Sequence, residues 1–325
     1  MDGPSFRLFA LNASRGFATG VAEALEVELG RHEEREFEDG EHKSRPQEDV
    51  AGRDVFVIHS LFGDAQESVN DKLCRMLFFI GALRDAGAAT VTAVIPYLCY
   101  ARKDRKTNPG DPVTTRYIAA MFEAVGVDRV LTMDVHNLAA FQNAFRCRTE
   151  HLEAKSLFVE HLAHEIGAAP AVVISPDVGG VKRAEALRLS LSERLGSLLP
   201  GGFMDKRRSG GELSGEALVG DVSGKTVVLV DDLISTGHTL ARAARTCAEH
   251  GAAHIFAVVT HGLFTGEARR VLTAAPIDKL AVTDTVSAYQ NLGNLQQRLV
   301  VLPTAAIFAA AIARIVGLTN RSQNG

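Results

Sequence analysis

Short runs of branched apolar residues recur along this chain, and they are apolar throughout where a half-buried strand would alternate. They are Val55–Ile58, Thr90–Ile95, Val130–Met133, Ala171–Ile174, Val227–Val230 and Ile255–Thr260. Successive side chains of a strand point to opposite faces, so a continuously apolar strand needs both faces covered, as in a parallel sheet flanked by helices. The segments between supply the covers. Asn70–Ala86 and Thr239–His250 read as helices, and Gly87 and Gly251 follow them where a helix end favours a residue that tolerates positive φ. The chain is therefore predicted to be α/β.

At 325 residues the chain is long for one domain and comfortable for two, and 46% hydrophobic with 23% charged residues suits a sizeable core. An internal echo supports two. GAATVTAVI (Gly87–Ile95) resembles GAAHIFAVV (Gly251–Val259), and VDRVLTMDV (Val127–Val135) resembles IDKLAVTDT (Ile277–Thr285), in the same order. Duplication of one α/β unit follows, with domains expected over residues 1–153 and 154–302. The closing segment, 303–325, is expected to form a helix over Pro303–Leu318 that packs back on the first domain. The stretch Gly210–Gly215 (GGELSG) interrupts the rhythm and reads as a mobile loop.

Lys and Arg number 35 against 39 Asp and Glu, a net charge of −4, which argues against a nucleic-acid binder working by general electrostatics. The start, MDGPSFRLFALNASRG, lacks the basic-then-apolar pattern of a secretory signal, and the apolar run Ala305–Ala313 is too short to span a bilayer. Neither nucleic acid nor a membrane is expected as a partner. Cys74, Cys99, Cys147 and Cys247 show no CxxC spacing and read as reduced thiols of a cytoplasmic protein.

One stretch carries the sharpest chemistry. In VVLVDDLISTGHTL (Val227–Leu240) a buried strand runs into two acids and then a small-residue turn before a helix. A parallel strand delivers its C-terminal residues to the edge where α/β proteins bind ligands. There the turn, Ser235, Thr236, Gly237, His238 and Thr239, offers backbone N–H groups and hydroxyls to a phosphate. Asp231 and Asp232 would repel phosphate but accept hydrogen bonds from vicinal hydroxyls, so the site fits a sugar phosphate. His238 could face the phosphate or solvent. The stretch resembles the phosphoribosyl-binding motif shared by phosphoribosyltransferases and phosphoribosyl diphosphate (PRPP) synthetases, and by itself leaves both families open.

Other constellations follow apolar strands. YARKDRK (Tyr100–Lys106) packs four basic residues into five positions, a pattern suited to polyphosphate. MDVHN (Met133–Asn137) and SPDVGGVKRAEAL (Ser175–Leu187) place His136 and Asp177, both able to bind a metal, after strands. Mg²⁺ takes few protein ligands and keeps phosphate and water oxygens, so two suffice for a Mg-nucleotide site. FEDGE (Phe37–Glu41) closes an acidic run. No GxxxxGK[ST] occurs, which excludes a P-loop, and His161, His164 and Glu165 do not form HExxH.

FEDGE, PYLCYARKDRK, MDVH, SPDVGG, VGDV (Val219–Val222) and VDDLISTGHT, in this order, resemble ribose-phosphate pyrophosphokinases, the PRPP synthetases. The resemblance implies two tandem phosphoribosyltransferase-like domains, each a mainly parallel sheet flanked by helices. It implies transfer of the diphosphoryl group of ATP to ribose 5-phosphate with Mg²⁺ as cofactor, in a homo-oligomer (dimer or hexamer) whose ATP site lies at a subunit interface. By the same resemblance Phe37, Asp39, Glu41, Arg102, Lys103 and His136 would bind ATP, and His136 and Asp177 the metal. Lys206 and Arg208 match the catalytic Lys-x-Arg. Asp231 and Asp232 would bind the ribose hydroxyls and Ser235–Thr239 the 5-phosphate. This chain departs from the usual pattern at Lys103, where the family carries Gln, and at Ser235, where many members carry Asp. Two alternatives are weighed: a phosphoribosyltransferase, which needs no ATP site, and a non-catalytic regulatory homologue, which would be free to lose the loop cations that this chain keeps.

Overall fold

A computed structural model describes residues 6–209, 212–287 and 292–318, with no account of the side chains at 206–209 and 212–216. The chain divides into two compact units, residues 1–152 with 303–325, and residues 153–302.

The first unit runs β1 (Phe6–Ala10), α1 (Arg15–Leu25), β2 (His32–Glu36), β3 (His42–Pro46), β4 (Asp54–Ile58), α2 (Val69–Asp85), β5 (Thr90–Ile95), α3 (Thr114–Ala124), β6 (Arg129–Met133), α4 (Leu138–Ala144) and β7 (Arg148–Leu152). Its sheet is parallel throughout, in the order β1-β4-β5-β6-β7. β4 and β5 are buried along nearly their whole length, as their unbroken apolar runs require. One core gathers Phe9, Val57, Phe79, Ile80, Val91 and Phe122, each fully buried. Every such side chain contributes about 1.5–3 kcal/mol relative to exposure. β2 and β3 form a separate antiparallel hairpin that packs on α2, where His42 stacks on Phe78.

The second unit runs α5 (Lys155–Ile166), β8 (Ala171–Ser175), α6 (Val181–Leu195), β9 (Gly201–Ser209), β10 (Glu212–Val219), β11 (Thr226–Ile234), α7 (His238–Glu249), β12 (His254–Gly262), α8 (Ala268–Thr273), β13 (Lys279–Thr283) and β14 (Leu299–Leu302). The sheet order is β10-β9-β8-β11-β12-β13-β14, antiparallel only at β10-β9. The crossover from β8 leads one way across the sheet and that from β11 the other, so the order reverses between them. In open α/β sheets this reversal leaves a crevice beyond the strand ends, the usual seat of a ligand.

The last helix, α9 (Ala305–Ile315), belongs to the first unit and packs on α1. Phe17 and Phe308 meet edge to face at 5.4 Å, and a Cβ on Gly20 would come within 3.1 Å of the Ala305 Cβ. A glycine there lets the two helices approach closely.

Two expectations need correction. The loop read over Gly210–Gly215 is mostly strand: β9 and β10 pair from Phe203↔Val219 to Ser209↔Glu212, with a register shift between Leu213 and Gly215. Gly210 and Gly211 lie outside the described residues. The glycines hid the strand because pairing is a backbone property, while the sequence pattern reports side chains. Likewise Asp231 and Asp232 do not follow β11 but lie within it, since β12 continues to pair as far as Ile234↔Gly262. On the other side β8 stops pairing at Ile174↔Leu229. The acids therefore sit where one neighbour strand has ended and the other has not.

Candidate active site

In the second unit the site grows from the β8–β11 reversal. Beyond Leu229 the open flank of β11 presents Asp231, half-buried, and Asp232, which is 4% exposed. Burial, and next the charge of Asp232, push the Asp231 carboxyl up to about 8. Arg183 opposes that shift. Its Nη1 lies 3.4 Å from Asp231 Oδ1 and 3.2 Å from Asp232 Oδ1. Arg183 stands on the first turn of α6, so one guanidinium spans the reversal.

The turn between β8 and α6 carries Asp177. Its Oδ1 accepts from Gly180 N at 3.0 Å, and the buried Ser175 hydroxyl donates to Asp177 O at 2.6 Å. A Cβ on Gly180 would lie 2.7 Å from Ser175 Oγ, so only glycine allows this tight return.

Ser235–Thr239 closes β11 onto α7. Gly237 is the N-cap with φ +77°, its Cβ position is 2.8 Å from Leu272, and no side chain caps the helix. Leading N–H groups of a helix have no intrahelical acceptor, so an uncapped N-terminus is a ready anion site. The loop after β12 braces the turn: Thr265 N donates to Ser235 O at 3.0 Å, and the Ser235 and Thr265 hydroxyls are 3.0 Å apart. His238 is fixed between Thr236 Oγ1 and Glu267 Oε1, each at 3.0 Å.

In the first unit the loops after β5 and β6 meet. Asn137 caps α4 through Oδ1, which accepts from Ala140 N, and its Nδ2 donates to Asp104 Oδ2 at 2.6 Å. This joins the basic loop to the turn that holds His136. Both turns contain non-glycine residues at positive φ, Tyr100 at 57° and Asp134 at 38°. Arg102, Arg105 and Lys106 are exposed, whereas the Lys103 ammonium is bound to Asp111 at 2.8 Å. The hairpin tip Phe37–Glu41 is built on Gly40 at φ +88° and on Asp39, whose Oδ1 accepts from Glu41 N. Arg35 lies over the Phe37 ring at 5.0 Å.

A family model described as the N-terminal domain of ribose phosphate pyrophosphokinase matches residues 6–126, and one described as the phosphoribosyl synthetase-associated domain matches residues 212–323. The ribose-phosphate pyrophosphokinase of Hyphomonas neptunium is 36% identical over 310 residues, which span 95% of this chain and 96% of the relative. The chain belongs to the ribose-phosphate pyrophosphokinase family. Ribose-phosphate pyrophosphokinase 1 of Streptococcus pyogenes serotype M1 is 35% identical over 319 residues, 97% of this chain and 96% of its own. The crystal structure of phosphoribosylpyrophosphate synthetase from Mycobacterium smegmatis superposes with a TM-score of 0.87 at 32% identity, covering 97% of this chain and 99% of that one. The fold is thus two tandem phosphoribosyltransferase-like domains, as the motifs implied.

The structure gathers Asp177, Asp231, Asp232 and Ser235–Thr239 around one reversal, and Arg102, Lys103 and His136 around another pair of strand ends. Phe37, Asp39 and Glu41 stand apart on the hairpin tip. Lys206 and Arg208 lie in β9, with backbones paired to Glu216 and Leu213, and their side chains are outside the described part. Among the described residues no group of three or more His, Cys, Asp or Glu could hold a metal. Asp177 keeps Oδ2 clear of the bond its Oδ1 makes. Burial pushes the Cys99 and Cys247 thiols up to about 12 and Cys147 to about 11, so none offers a thiolate at neutral pH. No described helix is long and apolar enough to cross a membrane.

Sequence reasoning missed Arg183, although it sits in the quoted run SPDVGGVKRAEAL. The only signal was a cation one helical turn past a glycine pair. Asp104, Asn137 and Asp111 were missed because their partners are set by folding.

Proposed function

We propose that this protein is a ribose-phosphate diphosphokinase, which moves the β,γ-diphosphoryl group of Mg-ATP to the C1 hydroxyl of ribose 5-phosphate and releases PRPP and AMP. The observation that carries this reading is the buried acid pair beside an uncapped helix N-terminus, at the β8–β11 reversal of a chain matched end to end by synthetases.

In this reading the 5-phosphate lies on the α7 N-terminus, among Ser235, Thr236, Gly237, His238 and Thr239. The helix dipole and the loop donors favour its charge there. The Asp231 and Asp232 carboxylates accept from the ribose hydroxyls and fix the sugar. Arg183 holds the pair in place before the sugar arrives. Arg102, Arg105 and Lys106 take the triphosphate, and Phe37, Asp39 and Glu41 take the adenosine of ATP bound to a second copy of the chain, making the active form a homo-oligomer.

The C1 oxygen then attacks the β-phosphorus. A new O–P bond forms, the bond from the β-phosphorus to the oxygen bridging to the α-phosphorus breaks, and AMP leaves as the hydroxyl proton is lost. Such a transfer depends on positioning and on neutralising charge rather than on a covalent intermediate. Lys206 and Arg208 supply positive charge at the transferring group. His136 in the first unit and Asp177 in the second are each the residue that would hold Mg²⁺ in its own unit, where the ion would keep phosphate oxygens and add neutralisation when bound. The unpaired thiols suit a reducing compartment such as the cytoplasm.

Phosphorus NMR of the purified protein with ribose 5-phosphate, Mg²⁺ and ATP tests this. PRPP and AMP are expected to appear together. ADP with a ribose bisphosphate would replace the proposal with a simple kinase. Binding of both substrates without turnover would make the chain a regulatory homologue.

A further inference from the structure

Lys103 stands in the basic loop where the family carries Gln, which invites the view that it adds one more cation for the nucleotide. Its surroundings say otherwise. Asp111 Oδ2 accepts from Lys103 Nζ at 2.8 Å, Thr107 Oγ1 at 2.6 Å, Thr107 N at 3.0 Å and Asn108 N at 2.9 Å. Lys103 Nζ also donates to Thr107 Oγ1 at 3.2 Å, so two of its three protons are engaged inside the loop. Lys103 and the bonds from Thr107 and Asn108 hold the Asp111 carboxyl well below the usual carboxylate range, which keeps it ionised.

The rest of the loop is tied down around this centre. The buried Thr115 hydroxyl lies 3.2 Å from both Tyr100 O and Lys103 O and shares its single proton between them, which fixes the start of the loop on α3. Asp104 is held by Asn137. Gly110, at φ +83°, lets the chain return so that Asp111 faces the residues it gathers. Three cations remain without an ion pair among the described residues: Arg102, Arg105 and Lys106, all exposed.

We propose that Lys103 and Asp111 form an internal pin that shapes the basic loop in advance, so that Lys103 acts on ATP through Arg102, Arg105 and Lys106 and not by touching it. Lys103 is thus a positioning residue. The pin adds no net charge, because Asp111 cancels Lys103. Its effect is to remove part of the ordering cost that three long cationic side chains on a loose loop would incur on binding polyphosphate. The proposal rests on the reading of this loop as the ATP side of a diphosphokinase.

The two roles predict opposite results at Asp111. If Lys103 touched the nucleotide, Asp111→Asn would release it and tighten ATP. If the pair is a pin, Asp111→Asn and Lys103→Gln should each raise KM for ATP by about tenfold, the scale of one charge-assisted hydrogen bond lost. KM for ribose 5-phosphate and kcat should stay at the wild-type values. The double variant should be no worse than the poorer single one, because both remove the same contact. Thermal unfolding midpoints equal to wild type establish that each variant is folded, and trypsin cleavage of the loop in Lys103→Gln carries the test if Asp111→Asn does not fold. KM for ATP at or below the wild-type value in Asp111→Asn, or additive losses in the double variant, would overturn the pin. Limited trypsin cleavage after Arg102, Arg105 and Lys106 reads the loop without turnover: faster cleavage in both single variants supports the pin and unchanged cleavage refutes it. The failure of the pin is thereby separate from failure of the PRPP reaction, which would show in the wild-type protein itself.

Discussion

The β4–α2 connection of the first unit and the β11–α7 connection of the second occupy the same place in two copies of one topology, and they have opposite chemistry. Each follows the strand beside the first strand of its unit, β1 or β8. In the second unit the place holds two acids, an open turn and a helix with no side-chain cap. In the first it is filled. His59 and Ser60 stand where the acids do in the other unit. The Ser14 hydroxyl oxygen accepts from Ser60 N at 2.9 Å and lies 3.0 Å from His59 Nδ1. Asp64 accepts from Gln66 N and Glu67 N and pairs with Lys72, which is fully buried and 3.8 Å from the centre of the Phe62 ring. α2 then begins with a full capping box, Ser68 with Asp71. The difference is that the second unit leaves the leading N–H groups of α7 without a side-chain cap, open to an anion, whereas the first caps those of α2 from within. The flanks differ too. β8 has β9 as a paired neighbour, whereas among the described residues β1 has a single bridge, from Leu8 to Leu29, on that side.

Four measurements would break or sharpen this contrast. The largest effect is expected in the closed copy. Burial drives His59 from 6.5 to about 3, so the folded state holds it neutral while the unfolded chain would take a proton. Its contribution is complete above pH 6.5 and is lost as the pH falls toward 3, on the order of 4 kcal/mol. Urea midpoints followed across this range should fall steeply for wild type and less so for His59→Gln. Equal slopes would mean that the closed copy is not sealed by a neutral imidazole.

In the open copy, Lys206→Ala is expected to slow turnover about 10²–10³-fold, by analogy with the loss of one oxyanion-hole donor, while ribose 5-phosphate binding measured by calorimetry persists. Equal loss of both would move Lys206 from catalysis to sugar-phosphate binding. Next comes a pH effect. A raised carboxyl keeps its proton below about 8, and a protonated acid is a poorer acceptor for the ribose hydroxyls. KM for ribose 5-phosphate should therefore fall as pH rises from 6.5 to 8, by up to about tenfold per unit, and level off above. In Asp232→Asn the levelling should begin at lower pH, because the neighbouring charge is gone. A flat profile in wild type would detach the acid pair from sugar binding. The smallest effect belongs to the cap: Ser68→Ala should cost about 1 kcal/mol in stability and leave both KM values alone, because the capping box already occupies the leading donors of α2. A raised KM there would show that the closed copy takes part in binding after all.

Much of the fold was legible because the buried strands carry their evidence in their own side chains. β5 has the predicted limits, and β4, β6 and β8 differ by a residue at one end. Gly87 and Gly251 stand at φ +86° and +84°, as their places after α2 and α7 require. The polar strands were not legible. β2 (HEERE) and β7 (RTEHL) have no apolar pattern, and their identity comes from backbone pairing with β3 and β6. β9 and β10 were lost to the glycines between and within them.

For the site, the local sequence determined which chemical groups arrive near strand ends: two acids within the last part of β11 and a hydroxyl-rich turn after it, and a cluster of cations after β5. Tertiary structure decided which of those charges stay available. Arg183 reaches the acid pair from 48 residues away, Asn137 reaches Asp104 from 33, and Lys103 is taken up by Asp111 only because the loop folds back on itself. Neutralisation depends on distance in space, and between atoms a few ångströms apart it outweighs anything that spacing along the chain can report.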